Sequence, residues 1–290
     1  MMWNREISLP RNYNVPVMLQ RLGADPLHNL DEKEETVKIP VVHNGAAEGI
    51  TLRFHQTEEG YDVNLTGDAV PPDAAAAQAE SIFLWNRPLE EIQDHFQSTD
   101  LAPLFERFAG TPLVCEFETY GCLMKTIIHQ QLNMSFAYTL SSRFVQTYGE
   151  MVDGVWFYPE PERIARLEPE ELKKLQFSRS KAEYVIDTSR MIVDGKLDLG
   201  AIKEQTDEEV MKTLTAIRGV GPWTAQCFLL FGLGRADLLP AKDIGIQNGL
   251  KHLWNREKKP SVKEIQEKSK AWSPYASYAA LYIWLSTEFS

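Results

Sequence analysis

The sequence predicts an α+β chain in two parts. An N-terminal domain with an antiparallel sheet and helices occupies residues 1–110, and an all-helical domain built on a helix-hairpin-helix occupies residues 111–290. Three observations carry this division. Between Ile7 and Asp68, apolar and polar residues alternate over residues 37–42, 50–54 and 61–65, the period of half-buried strands. Past residue 110 the spacing changes to three and four, as in Tyr120, Leu123, Met124, Ile127 and Ile128, which is the stripe of an amphipathic helix. The charge divides at the same place: residues 1–110 hold 8 Lys/Arg against 18 Asp/Glu, whereas residues 111–290 hold 22 against 23.

The elements follow in order. A helical segment is expected over residues 11–22, and Glu58-Glu59-Gly60 has the length of a loop joining two strands into a hairpin. Residues 71–85 open with Pro-Pro-Asp and an alanine run, a helix start because proline needs no amide partner in the first turn. Residues 88–108 read as a helical connection. The helix through Tyr120 and Ile128 ends near His129-Gln130-Gln131-Leu132-Asn133-Met134, and another covers residues 135–148. Residues 161–167, 169–175 and 180–192 give three more helices, each opened by Pro or Ser. Near the C-terminus Tyr278, Leu281, Tyr282 and Leu285 make one helical stripe, and Trp284 falls one residue off it. There is no internal repeat.

Composition bounds the function. No apolar run approaches the roughly 18 to 20 residues of a membrane span, and Met1-Met-Trp-Asn-Arg5-Glu6 lacks the apolar core of a signal peptide. The chain is therefore expected to be cytoplasmic, nucleoid-associated in a bacterium, monomeric and without a membrane partner. Cys115, Cys122 and Cys227 are too few and wrongly spaced for a four-thiolate iron–sulfur cluster, and no His-x-x-x-His or Cys-x-x-Cys pair suggests zinc. The net charge of −11 argues at first against a nucleic-acid partner. Nearly all of it lies in the N-terminal part, so the helical part can still present a basic face. Lys173, Lys174, Arg179, Lys181, Arg218 and Lys242 are the candidates.

The most informative stretch is Leu214-Thr-Ala-Ile217-Arg-Gly219-Val-Gly221-Pro222-Trp223-Thr224-Ala-Gln226. Val210, Leu214 and Ile217 recur at helical spacing, and Thr206 stands three residues before Glu209 in a capping-box pattern. Gly219 and Gly221 permit a tight reversal with positive φ, and Pro222 suits the first turn of a second helix. The turn gathers backbone N–H groups at that helix's N-terminus, where an anion is favoured. After the second helix comes Pro240-Ala-Lys242-Asp243-Ile244. Read from its context alone, Asp243 is an N-cap for the helix beginning at Ile244.

A helix-hairpin-helix followed after about two dozen residues by an Asp behind a Pro resembles the superfamily of base-excision DNA glycosylases. The similarity is to the 3-methyladenine DNA glycosylase II branch, over nearly the whole chain, including residues 272–285. It implies double-stranded DNA as partner and Asp243 as the carboxylate that stabilises positive charge on the deoxyribose and orients a water. Trp223 and Trp284 then line a base pocket, where an electron-rich ring attracts a cationic alkylpurine. Gly219, Gly221 and Thr224 would contact DNA, and Gln131, or else its neighbour Gln130 or Leu132, would fill the gap left by the extruded nucleotide. No cofactor is required, although a Na⁺ or K⁺ on the carbonyls of Thr215, Ile217 and Val220 is implied. Bifunctional relatives place a lysine two positions after the second hairpin glycine, and here that position is Trp223. The expected activity is thus hydrolytic excision without strand cleavage. Cys227 and Ala276 depart from some members, which have an aromatic and an arginine there. Two alternatives share these features: an oxidised-base glycosylase of the same fold, and a helix-hairpin-helix protein that binds DNA without cutting it.

Overall fold

Alternation in the N-terminal part builds one five-stranded antiparallel sheet in the order β1-β5-β4-β3-β2. The structure is a computed structural model and describes residues 2–289. Strands β3 (Thr36–His43), β4 (Ala46–Thr57) and β5 (Gly60–Gly67) form its centre. Their register sets Ile39 opposite Ile50, Leu52 opposite both Val37 and Leu65, and Phe54 opposite Val63, so one face is continuous hydrocarbon. The edges are β1 (Trp3–Ser8) and the short β2 (Asn29–Asp31). Strand β1 begins before Ile7, where the alternation was expected to start; its residues run half-buried then exposed, so charges mask the pattern.

Between β1 and β2 lies α1 (Val15–Leu22), capped by the Asn14 side chain, which accepts the Val17 N–H at 3.2 Å. Helices α2 (Pro72–Phe83), α3 (Leu89–Phe96) and α4 (Ala102–Arg107) follow the sheet. The helical part comprises α5 (Thr119–His129), α6 (Met134–Tyr148), α7 (Pro161–Ala165), α8 (Pro169–Lys174), α9 (Arg179–Val193), α10 (Asp207–Thr215), α11 (Pro222–Leu233), α12 (Ile244–Leu253), α13 (Val262–Lys268) and α14 (Ala276–Glu288). A hairpin, β6 (Glu150–Val152) and β7 (Val155–Phe157), interrupts the helices and was not anticipated. Asp153 and Gly154 both take positive φ at its turn, the chemistry of a two-residue hairpin loop.

Packing does not follow the compositional boundary at residue 110. One buried cluster joins the sheet, α1 to α4 and the chain down to Phe117 with the C-terminal helices, through Ile246, Leu250, Trp272 and the buried face of α14. The second spans Cys122 to Leu229 and takes in Leu27. The chain thus leaves the first core, builds the second, and returns. A stack of three rings secures the return: Phe96 on Phe105 and Phe105 on Tyr282, each with centroids 3.9 Å apart and planes within 12°. Tyr282 Oη then donates to the Thr111 carbonyl at 3.2 Å. Truncating the middle ring, Phe105→Ala, should cost about 3–5 kcal/mol in urea unfolding, with α14 the first element to lose hydrogen-exchange protection; a loss below about 1 kcal/mol would show that this stack does not hold the two ends of the chain together.

Candidate active site

The site grows from the hairpin between α10 and α11. A reciprocal capping box starts α10: the Thr206 hydroxyl accepts the Glu209 N–H at 3.3 Å, and Glu209 accepts the Thr206 N–H at 2.9 Å. Val210, Leu214 and Ile217 bury the inner face. Gly219 turns the chain at φ +88°, and a Cβ there would stand 2.2 Å from the Tyr184 ring. Gly221 differs from expectation. It is extended, with φ −91°, as the N-cap of α11, and a Cβ there would meet open space. One glycine therefore serves conformation and close packing, while the other leaves bare backbone beside the first-turn N–H groups of α11, which have no intrahelical acceptors.

Asp243 follows α11 as the N-cap of α12, its Oδ1 accepting the Ile246 N–H at 3.0 Å. It is more than a cap. Trp223 Nε1 donates to Oδ2 at 2.8 Å, and Trp284 Nε1 donates to Oδ1 at 2.9 Å. The two predicted pocket tryptophans, from the first turn of α11 and the last turns of α14, therefore converge on the predicted carboxylate. Phe231 stacks on Trp284 with centroids 5.6 Å apart. All four residues, with Cys227, line a cavity of about 880 Å³. Burial, with Asp243 beside it, pushes the Cys227 thiol well above its ordinary pKa, so it is an inert wall. Ala276, in the first turn of α14, does not reach the cavity.

The loop between α5 and α6 supplies another rim. Gln130 is tied down, its Nε2 donating to the Gly219 carbonyl at 2.8 Å and to Thr224 Oγ1 at 2.7 Å. Leu132 packs against the second core. Gln131 is exposed, takes φ +57°, and lines the cavity. Thr224 had been expected to contact DNA, but the residue is buried and its hydroxyl accepts from Gln130, so its side chain braces the loop against the hairpin. The carbonyl of Ile217 accepts the Val220 N–H at 3.0 Å. Among the described residues, no hydrogen bond reaches the carbonyls of Thr215 or Val220 at the C-terminal end of α10. Of the basic candidates, Lys173 pairs with Glu170, while Arg179 and Arg218 both pair with Glu183. Lys181 donates to the carbonyls of Ile128 and Gln130, and partial burial draws its pKa down to about 8. Asp237 accepts from Ser273 and from the Ala276 N–H and lies outside the cavity lining.

Sequence reasoning missed a second set of lining residues. Asp25, His28, Glu116, Lys125, His129 and Tyr138 belong to the same cavity. Lys125 Nζ bridges Asp25 Oδ2 and Glu116 Oε1, each at 2.6 Å. Burial opposes the ammonium charge, but the Glu116 and Asp25 carboxylates hold its pKa well above the ordinary lysine value. Burial, reinforced by the Lys125 charge, draws His129 down to about 3, so its imidazole is neutral at pH 7. The one hint in the sequence was a lysine inside an otherwise apolar helix; its partners stand elsewhere in the chain.

Fold, hairpin and carboxylate together define a class, and comparison with known proteins agrees. Residues 124–274 match the HhH-GPD superfamily of base excision DNA repair proteins. The chain is 44% identical to YfjP of Bacillus subtilis, named as a candidate DNA-3-methyladenine glycosylase, over 99% of this chain and 100% of that protein. It is 32% identical to the DNA-3-methyladenine glycosylase of the same organism, over 96% and 95% of the two chains. The 3-methyladenine DNA glycosylase structure from Archaeoglobus fulgidus superposes with a TM-score of 0.85 at 22% identity, covering 99% of each chain. The chain belongs to the HhH-GPD superfamily. Within it, it is a member of the DNA-3-methyladenine glycosylase family, which are DNA N-glycosylases of base excision repair.

The unequal glycines give a direct check. Gly219→Ala should lower unfolding free energy by about 2 kcal/mol or more, combining a left-handed backbone with the Tyr184 clash, whereas Gly221→Ala should stay within about 1 kcal/mol of wild type. Equal losses in urea titrations would contradict the division of roles.

Proposed function

We infer that the protein is a monofunctional glycosylase that hydrolytically excises N-alkylated purines, of the 3-methyladenine and 7-methylguanine type, from double-stranded DNA. The observation that carries this is Asp243, fixed by two indole N–H groups in the wall of a cavity able to take a base. The nucleotide leaves the duplex and its base enters beside Trp223, Phe231 and Trp284. The C1′–N bond breaks with its electron pair leaving on the base, and a cationic alkylpurine departs neutral, so no proton need be delivered to it. The Asp243 carboxylate holds negative charge where the sugar becomes positive, and it orients the water that adds at C1′ and loses a proton. Gln131 fills the vacated stack, since Gln130 is held by the hairpin and Leu132 by the core. Strand cleavage would need an amine attacking C1′. Trp223 occupies the place of that lysine, and the buried amine in the cavity, Lys125, is charged and shared between two carboxylates.

Phosphate binding belongs to the hairpin. The N–H groups around Gly221 and the first turn of α11 face one phosphate. The carbonyls of Thr215, Ile217 and Val220 fit a Na⁺ or K⁺, because a helix C-terminus carries partial negative charge and two of the three accept no hydrogen bond. The ion would supply a positive charge for the same strand. Exchanging K⁺ and Na⁺ for tetramethylammonium at fixed ionic strength should raise the Kd for duplex DNA severalfold; unchanged affinity would remove the ion from the proposal.

The activity itself is tested on duplex DNA treated with a methylating agent, by chromatography of released bases. Wild type should release 3-methyladenine and 7-methylguanine without added cofactor, and Asp243→Asn should be slower by about a hundredfold or more. Strand breaks should appear only after alkali. Binding without release would leave the non-catalytic reading standing, and breaks without alkali would overturn the monofunctional assignment.

A further inference from the structure

The cavity holds a charged group that the reaction at C1′ does not use. Asp25 and Lys125 have side chains only 4% and 9% exposed, and Glu116 is 23% exposed. Lys125 Nζ bridges the two carboxylates, Asp25 Oδ1 accepts the Leu27 N–H at 2.9 Å, and His28 Nδ1 donates to the Leu22 carbonyl at 2.9 Å. Among the described residues, no donor meets Glu116 Oε2. The group therefore presents one acceptor and an unbalanced negative charge. Of the other charged groups in the lining, Arg21 pairs with Glu288, Lys242 is exposed, and Asp243 is itself negative and committed to the two indoles. His28 Nε2 stands 4.0 Å from Asp25 Oδ2, so among the described residues no cation other than Lys125 is paired with Glu116.

Stability does not explain this arrangement. Two buried charges, Asp25 and Lys125, cost several kcal/mol each in desolvation and the half-buried Glu116 adds to this, whereas well-packed hydrocarbon of the same volume is often as stable or more so. Leu22, Val114, Cys122 and Phe231 already line the cavity with hydrocarbon and sulfur, so an apolar wall was open to this sequence. A net carboxylate charge in the wall of a cavity lined largely by apolar groups instead favours an occupant with positive charge and an N–H to donate.

We propose that the Asp25–Lys125–Glu116 group is a specificity determinant: Glu116, held in place by Lys125, selects an extruded purine by its positive charge and accepts a hydrogen bond from it. The proposal rests on the excision reading and adds to it the residue that tells a cationic base from a neutral one. Lys125 and Asp25 are positioning residues. An aromatic wall alone tolerates neutral purines, because stacking is available to any base. The carboxylate makes the difference between an alkylated purine and its undamaged parent a difference of charge.

The test compares two duplexes that resist cleavage through a 2′-fluoro sugar, one carrying 7-methylguanine, which is cationic, and the other guanine, which is neutral, at the same position. Wild type should bind the first at least about tenfold more tightly, and Glu116→Gln, which keeps the shape, should lose most of that ratio. Thermal unfolding and circular dichroism establish that the variant is folded; should it fail to fold, Asp25→Asn supplies a second reduction of the same charge. Equal binding of the two duplexes by wild type, or an unchanged ratio in a folded variant, would overturn the proposal. Failure of the excision reading has a different signature: wild type releases no methylated base at all, whatever its binding ratio.

Discussion

A single carboxylate with three N–H donors fixes the geometry on which the rest of the site depends. Asp243 starts α12 through the Ile246 amide, reaches α11 through Trp223 and reaches α14 through Trp284. Charge-assisted hydrogen bonds to an ionic acceptor are the strong ones, so three helices are referenced to two oxygen atoms. This is why the chain must return to its first core after building the second. Trp284 can donate only if α14 is held by the stack of Phe96, Phe105 and Tyr282. Trp223 can donate only if the hairpin delivers the first turn of α11. The cavity is what remains between elements positioned in this way.

The indoles change what the tryptophans are. As ring walls they supply area and a negative face; as donors they also lock the carboxylate in orientation. The two functions are compatible because the N–H lies in the ring plane while stacking uses the ring face, and Phe231 covers one face of Trp284. In the proposed reaction Trp223, at the place where the resemblance to bifunctional enzymes would put a lysine, supplies an orienting donor and no nucleophile. Lys125 does not replace that lysine, since an ammonium buried between Asp25 and Glu116 is stabilised against losing its proton.

Much of the fold was legible because it is written locally. Alternation marked the three central strands, and the Thr206 capping box and Pro222 marked the two hairpin helices. What local pattern conceals is contact between distant segments. Residue 110 separates an acidic composition from a neutral one, but Tyr282 packs on Phe105 across it, and no periodicity reports that. The β6–β7 hairpin was available in Asp153-Gly154 and was hidden by its length of three residues per strand. Asp243 and Trp223 could be named because the helix-hairpin-helix and the Asp behind a Pro resemble a known family, and Trp284 because residues 272–285 resemble the same branch. That they share hydrogen bonds could not be named, nor could Asp25 be joined to Lys125, a hundred residues away. Of the two hairpin glycines, only Gly219 has the positive φ read from the motif.

A chain with a net charge of −11 raises a final question about its proposed DNA contact. Affinity for duplex ordinarily grows with the number of lysines and arginines on phosphates, yet Arg179 and Arg218 share Glu183 and are partly neutralised. Lys181 spends its donors on the end of α5, where it steadies the loop that projects Gln131. In the proposed complex the hairpin resolves this by offering main chain to the phosphate. Its N–H groups and helix-end carbonyls carry partial charges that need no titratable side chain, and Gly221 leaves them uncovered. Main-chain contacts are short and directional, so they fix where the phosphate stands relative to Asp243. An acidic protein gives up long-range attraction by this route and keeps the position of the backbone, and the position is what the chemistry at C1′ requires.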